Sequence, residues 1–392
     1  MKLPIVLAVL LILLAGAWGA SQARETPGAA TIERPEQTPL ERGVAAYRRG
    51  DYAAALGLLK PLAEAGGLKA QLYLASMYDE GYGIERDAAT AAHWITLAAG
   101  QGFARAQNSL GVRHEQGLGV ARDFAAAARW YRIAAEQGDA EAQSNLGRLY
   151  KAGIGVAQDD RKAASWYRKA AGQGFAPAQV RLGLLYSAGR GVGRNPHEAA
   201  RLYREAAIQG DPRGQWLLGV MHRTGRGVPR DAAAAAQLFR SAAEQGLAEA
   251  QNSLAELYRH GEGVAADAGR AALLFRLAAE QGHTGAQTGL AAMYYEGVGV
   301  SPDLREALRW YRKAAAQGAA DAQYILSLLY MLGQGVERNL VTAYAWMIVA
   351  AGNGNADAQS RMPLLESELT AGQILDAQKL TVKLGRPGSP GR

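Results

Sequence analysis

The 392-residue chain contains no cysteine. That excludes disulfides and a lipidated cysteine, so stability in an oxidising compartment must rest on packing alone. The groupings that carry nucleophilic or metal chemistry are missing too. No serine opens a Ser-x-x-Lys, and no Gly-x-Ser-x-Gly elbow occurs. The six histidines are scattered, without a His-Glu-x-x-His or any paired spacing that could hold a metal. Carboxylates are plentiful, but they stand at helix starts and on solvated faces rather than as an isolated pair. These absences leave no catalytic, cofactor-binding or metal-ligating residue to name, and they argue against an enzyme. Charge of one sign is also scarce. The formal balance of +7 falls to +6 once a leader carrying Lys2 is removed, and the charges are mixed along the chain. Such a balance tolerates an anionic polymer but is too weak and dispersed to argue for nucleic acid.

What is present is repetition. The stretch from Ala142 to Pro177 returns at a 36-residue shift in either direction. Its Ala-Gln pair recurs at Ala70, Ala106, Ala142, Ala178, Ala250, Ala286, Ala322 and Ala358, with Gly214 the one substitute. A fixed period in this range is the mark of a stacked array. Within one copy, Ala142, Leu146, Tyr150 and Gly153 fall on one face of a helix, helix A. Gly153-Ile154-Gly155 closes it, because glycine takes the left-handed conformation that ends a helix. The alternative reading of this glycine loop as a phosphate cradle fails: it follows a helix rather than a strand, lacks Gly-Lys-Ser/Thr, and occurs eight times. Asp159 and its equivalents Asp87, Asp123, Asn195, Asp231, Asp267, Asp303 and Asn339 are N-cap types and start helix B. Helix B carries Ala163, Trp166, Tyr167, Ala170 and Ala171 inward and ends at Gln173-Gly174. Its three repeated alanines predict close helix approach, with Trp94, Trp130, Trp166, Trp310 and Trp346 filling the space between hairpins. Arg132-Glu136, Arg240-Glu244 and Arg276-Glu280 are spaced for weak surface pairs along helix B. A single hairpin cannot bury these faces, so the expected fold is all-α, a solenoid of stacked helical hairpins stabilised by nearest neighbours.

Read as A-x-x-x-L-G-x-x-Y-x-x-G-x-G-V followed by an Asp-capped helix with W-Y-x-x-A-A-x-Q-G, the copies from about Ala70 to Gly354 resemble the Sel1-like repeat family, relatives of the tetratricopeptide repeat. His114 and His222 depart from it in the Tyr slot, as do Ala75, Ala255, Ala291 and Ser327 in the small Gly slot. The resemblance implies a right-handed superhelix of hairpins that mediates protein interactions, with helix A on the concave side and no catalytic residues. Some members of the family have been called β-lactamases or penicillin binders. The missing Ser-x-x-Lys makes weak β-lactam binding or hydrolysis the last of the readings here.

The ends divide as follows. Residues 1–23 read as a signal peptide: Met1-Lys2, an uncharged run from Leu3 to Ala20, then Ser21-Gln22-Ala23 as a small-residue cleavage site. Uncleaved, the run would be an inner-membrane anchor, and membrane contact is expected only then. Residues 24–38 read as a flexible tether, 39–69 as an N-terminal capping hairpin, 70–357 as eight repeats, 358–384 as C-terminal capping helices and 385–392 as a disordered tail. Pro363 is expected to interrupt the phase before an off-register helix from about Thr370 to Leu384.

With the framework nearly invariant between copies, specificity must sit where helix A varies. The slots equivalent to Ser144, Arg148 and Lys151 lie roughly opposite the buried stripe on a helical wheel. The Lys151 slot runs Asp79, Glu115, Lys151, Ser187, Arg223, Arg259, Tyr295, Met331. Trp216 and Tyr324 stand in the Ser144 slot. The expected partner surface therefore comprises Trp216, Arg223, Arg148, Lys151, Arg259, Tyr295 and Tyr324, with an exposed Trp216 and Arg223 at its centre. The functional expectation is an exported periplasmic or secreted scaffold or regulator that binds a protein or peptide in the cell envelope. The alternative is a cell-wall or anionic-glycan module recognising peptidoglycan or exopolysaccharide through Lys151, Arg223 and Arg259.

Overall fold

The computed structural model describes residues 37–384; the expected leader, most of the expected tether and the expected tail lie outside the described residues. Among the described residues there are twenty helices and no strand. They fall into two compact units divided between Arg194 and Asn195. The first holds α1 (Pro39–Arg48), α2 (Tyr52–Glu64), α3 (Leu68–Glu80), α4 (Ala88–Gly100), α5 (Ala104–Gln116), α6 (Phe124–Glu136), α7 (Ala140–Ala152), α8 (Asp160–Gly172) and α9 (Ala176–Ala188). The second holds α10 (Pro196–Ile208), α11 (Pro212–Thr224), α12 (Ala232–Glu244), α13 (Ala248–His260), α14 (Ala268–Glu280), α15 (Thr284–Glu296), α16 (Leu304–Ala316), α17 (Ala320–Leu332), α18 (Leu340–Gly352), α19 (Ala356–Glu366) and α20 (Ala371–Leu384). Within each unit every helix up to α19 packs on its sequence neighbours, and α20 folds back onto α18.

The caps fall where the sequence places them. Each helix B begins at an Asp or Asn whose side chain accepts from a backbone amide of the first turn, as Asp159 does from Lys162. Each helix A ends on a left-handed glycine such as Gly153, φ +68°. The second glycine of the loop has a different reason to be glycine: a Cβ on Gly155 would meet the carbonyl oxygen of Phe124 at 2.2 Å. The loop of one copy thus lies directly on the first turn of helix B in the copy before, and the repeated Gly-x-Gly is an inter-copy contact as well as a helix stop.

The deepest residue of helix B is the one after the tryptophan slot. Tyr131, Tyr167, Tyr203, Phe239 and Phe275 are all fully buried. Tyr131 and Tyr167 press on Gly111 and Gly147, where a Cβ would meet the ring at 2.7 Å. Among the tryptophans Trp94, Trp310 and Trp346 are buried, whereas Trp130 and Trp166 are half-buried. Helix A buries more than one stripe: α7 encloses Gln143, Ser144 and Leu149 in addition to Ala142, Leu146, Gly147 and Tyr150. Two sequence signals that mark register prove to be one polar ladder. Gln143 Nε2 donates to the carbonyl of Ala135 at 3.0 Å, and its Oε1 accepts from Gln173 Nε2 at 2.9 Å. The pair recurs as Gln107 with Gln137, Gln251 with Gln281 and Gln287 with Gln317. Each ladder rung ties the last turn of one helix B to the following helix A and to the next helix B end.

Two expectations are corrected. Arg132, Arg240 and Arg276 do not pair with the glutamate one turn on. Each reaches forward to the tyrosine hydroxyl of the next helix A, at 2.9, 3.3 and 2.6 Å for Tyr150, Tyr258 and Tyr294. A long guanidinium stem spans that gap and finds an acceptor shielded from water, which an exposed glutamate cannot offer. Pro363 does not interrupt α19, which continues to Glu366. Proline so close to a helix end removes a single ladder bond. The expected closing helix is α20, opened by Thr370 and Gln373, each accepting from the other's amide. At the other end Thr38 and Glu41 make the same reciprocal box on α1.

Candidate functional site

The variable slots of helix A do not share one environment. The Ser144 slot turns inward: Asn108 and Ser144 are buried, as are Val180 and Tyr324, while Trp216 is half-buried. Its residues stitch one helix A to the next. Asn145 Nδ2 donates to Asn108 Oδ1 at 3.1 Å, Arg181 Nη1 to Ser144 Oγ at 2.9 Å, and Trp216 Nε1 to Ser253 Oγ at 3.0 Å. The expectation of an exposed Trp216 is therefore corrected, because its ring packs against the hydrophobic core of the second unit and its N–H is satisfied on α13. Tyr324 is corrected likewise: at 8% exposed it belongs to the core. The wheel misplaced this slot because helix A is flanked by the next helix A as well as by two helices B.

The Lys151 slot, at the C-terminal ends of the A helices, remains at the surface. Across the first unit its charges are neutralised between copies. Asp79 pairs with Arg113, which is buried in the slot otherwise held by residues such as Leu149 and Met221. Burial raises the Asp79 carboxyl above its ordinary range, with Arg113 opposing. Glu115 accepts from Arg148 at 2.5 Å and from the Tyr131 hydroxyl at 2.8 Å. Burial holds that hydroxyl well above the usual tyrosine range, and the carboxylate beside it adds to the shift. Arg148 is thus engaged within the array. Lys151 is half-exposed, with only its backbone carbonyl bonded, to Gln158.

In the second unit the same slot is less occupied. Arg223 shares Glu262 with Arg230, both at 3.3 Å. Arg259, half-exposed on α13, has no hydrogen bond or ion pair among the described residues. Tyr295 is 39% exposed on the last turn of α15 and donates to Gln334 Oε1 at 2.8 Å. Beside the same helix ends stand Val298 and Leu332, 41% and 59% exposed. Of the seven residues expected to meet a partner, the structure leaves Arg259 and Tyr295 available at the surface, with Arg223 and Lys151 partly so; it encloses Tyr324, docks Trp216 and commits Arg148. Leu332 was missed because attention lay on the Lys151 slot, one residue earlier. His114 and His222, expected in the core, are half-buried. Among the described residues no three His, Asp or Glu side chains converge on a metal geometry, and no helix is long and apolar enough to cross a membrane.

The family model for the Sel1 repeat matches residues 68–103, 104–139, 140–175, 176–211, 212–247, 248–283, 284–318 and 320–355. A protective antigen present in uropathogenic Escherichia coli strains, displaying an SLR fold, is 32% identical; the match covers 90% of this chain and 92% of that one, with a TM-score of 0.50. A Sel1 repeat protein from Oxalobacter formigenes is 32% identical over 61% of this chain and 96% of its own, with a TM-score of 0.57. No match was found among curated protein sequences.

Proposed function

Since the chain belongs to the Sel1 repeat family, whose solenoids typically serve as protein-interaction scaffolds, we propose that it is an exported scaffold or regulator that captures a protein or peptide partner on the helix A ends of its second unit. The observation that carries this reading is the contrast between the units. In the first, Asp79, Glu115 and Arg148 are spent on one another's neighbours between copies. In the second, the equivalent row keeps an unpaired guanidinium at Arg259 and presents Tyr295, Val298 and Leu332 to solvent. Aromatic and arginine side chains at one place are the composition of an interface core. The uncharged Leu3 to Ala20 run supports export. A purely anionic-glycan site is less well supported, because Arg148 and Arg223 are already neutralised by Glu115 and Glu262. No residue grouping supports catalysis.

A photoreactive amino acid placed at Leu332, and separately at exposed Lys379 on α20, tests the proposal in living cells. The expected result is a protease-sensitive adduct in the envelope fraction from position 332 and none from position 379. A lysozyme-sensitive adduct, or equal labelling at both positions, would transfer the function to the cell wall or remove it from this surface. Mass spectrometry of the same preparation should find the mature chain beginning near Arg24; recovery of residues 1–23 would establish an anchor instead.

A further inference from the structure

The first unit contains a worked example of how this array binds a carboxylate. Glu115 lies between the Tyr131 hydroxyl at 2.8 Å and the Arg148 guanidinium at 2.5 Å. Five copies further on, the residues equivalent to Tyr131 and Glu115 are Tyr311 and Tyr295. The hydroxyl is kept and the carboxylate is gone. Tyr311 is only 4% exposed, yet its hydroxyl makes no hydrogen bond among the described residues. Its counterparts Phe239 and Phe275 in the two preceding copies show that this position does not need a hydroxyl for packing. A guanidinium is present as well. Arg259, from the copy before rather than the copy after, has no partner of its own, and its positive charge bears on the Tyr311 hydroxyl, favouring ionisation, while Glu296 and Tyr295 oppose it. The other carboxylates of the neighbourhood are committed, Glu256 to His260 at 3.2 Å and Glu262 to Arg223 and Arg230. Glu296, exposed at the end of α15, makes no ion pair with Arg259.

We propose that Arg259 and the Tyr311 hydroxyl, flanked by the Tyr295 ring, form a notch for a carboxylate, and that the partner's binding segment is an acidic peptide. This rests on the protein-binding reading above and names the chemistry of its partner. The carboxylate of an Asp or Glu side chain restores the arrangement that Glu115 completes internally: a charge-assisted bond from the guanidinium and a donated hydroxyl proton. The exposed side chains of Val298 and Leu332 on the adjoining helix ends then supply an apolar continuation. Successive A helices are spaced at about 10 Å and an extended chain advances about 3.3 Å per residue. The recognised segment therefore carries its apolar residue about three positions from its acid.

The probe is a phage-displayed library of random peptides, selected on the intact chain and on three variants of it: Arg259→Gln, Tyr311→Phe and the control Arg223→Gln. Tyr311→Phe reproduces what Phe239 and Phe275 already do, so it preserves packing. The expected outcome is enrichment of peptides with an Asp or Glu followed by a spaced apolar residue. A synthetic copy of the selected peptide should lose about ten-fold or more in affinity when its acid is replaced by the amide. Arg259→Gln should abolish that acid-over-amide preference, Tyr311→Phe should reduce it, and Arg223→Gln should leave it in place; added salt should weaken the acidic peptide alone. Enriched peptides without acidic bias that still lose binding in Tyr295→Ala would overturn the carboxylate notch and leave the protein-binding surface standing. No enriched peptide at all would overturn both. Arg259-dependent retention of a sulfated oligosaccharide with no acidic peptide enriched would assign the notch to an anionic glycan.

Discussion

Gln143 offers the sharpest test of how the array holds together. It is 4% exposed, its Nε2 donates to the carbonyl of Ala135 at 3.0 Å, and its Oε1 accepts from Gln173 Nε2 at 2.9 Å. Gln143→Ala removes both bonds. Neither partner is stranded outright: the Ala135 carbonyl still receives the Gly138 amide at 3.1 Å, and Gln173 Nε2 still donates to the Gly138 carbonyl at 2.9 Å. The loss is therefore two net hydrogen bonds, about 2 kcal/mol, and not the larger cost of orphaned buried groups. Because each copy leans on its neighbours, the effect should be concentrated at the α6, α7 and α8 contacts. Urea unfolding followed by circular dichroism gives the total, and hydrogen exchange of peptides from these helices gives the location. Gln143→Glu sharpens the test. A carboxylate there faces the Ala135 carbonyl in a buried place, which raises its folded pKa above its unfolded value. Below the ordinary glutamate range the neutral acid can donate to Ala135 and the variant should behave much like the wild type. As pH rises through and above that range the folded state must either hold a proton or bury a charge, so the gap to wild type should widen. A Gln143→Ala protein within about 0.5 kcal/mol of wild type, with unchanged exchange in α6 and α7, would refute the ladder as a source of cohesion.

Two further outcomes follow from the same geometry. The Asp159 carboxyl is held below its usual range first by the Lys162 backbone amide and then by the Lys162 charge; a depressed folded pKa gives stability that is present above the unfolded pKa and lost as pH falls through the folded one. Asp159→Asn, which copies the caps at Asn195 and Asn339, should therefore leave the neutral-pH melt close to wild type and flatten the acid limb, while Asp159→Ala should melt earlier at neutral pH. Trp216→Ala should lower stability by about 2 kcal/mol, less than for a fully buried aromatic, because the ring is half-buried against α13; an unchanged melt would return Trp216 to the surface.

The framework was legible because each of its elements has a local cause that repeats. A capping carboxylate, a left-handed glycine and a helix-spaced apolar set can each be read without knowing what lies across the gap, and eight registrations remove ambiguity. Gln143 and Gln173 were visible as constants of the period, but their meaning needed a partner 30 residues away and a carbonyl eight residues back. Arg132 was misassigned for the same reason: helical spacing nominated Glu136, whereas Tyr150 competes from the next copy and lies in a less hydrated place. Arg113 carried a readable signal, since it alone is charged in a slot that otherwise holds Met77, Leu149, Leu185, Met221, Leu257, Met293 and Leu329. A cation there demands a buried counter-charge, and Asp79, 34 residues earlier, supplies it.

The site was less legible because variability between copies has two physical sources that a helical wheel cannot separate. A slot varies when nothing constrains it, and it varies when its constraint is a particular residue in the adjacent copy. Glu115 with Arg148, Asp79 with Arg113 and Trp216 with Ser253 are of the second kind: each side chain is fixed by a partner that changes along the array, so the row looks free although it is satisfied. What marks a free position is a half of such a pair without its other half. Tyr311 keeps the hydroxyl that Tyr131 uses, Tyr295 has displaced the acceptor, and Arg259 adds a charge that the array does not neutralise. Desolvating a hydroxyl without a partner is unfavourable, and the packing alternative is already present in the sequence at Phe239 and Phe275. A copy that retains the hydroxyl beside an unpaired guanidinium is therefore better explained by an acceptor from outside the chain than by the needs of the fold.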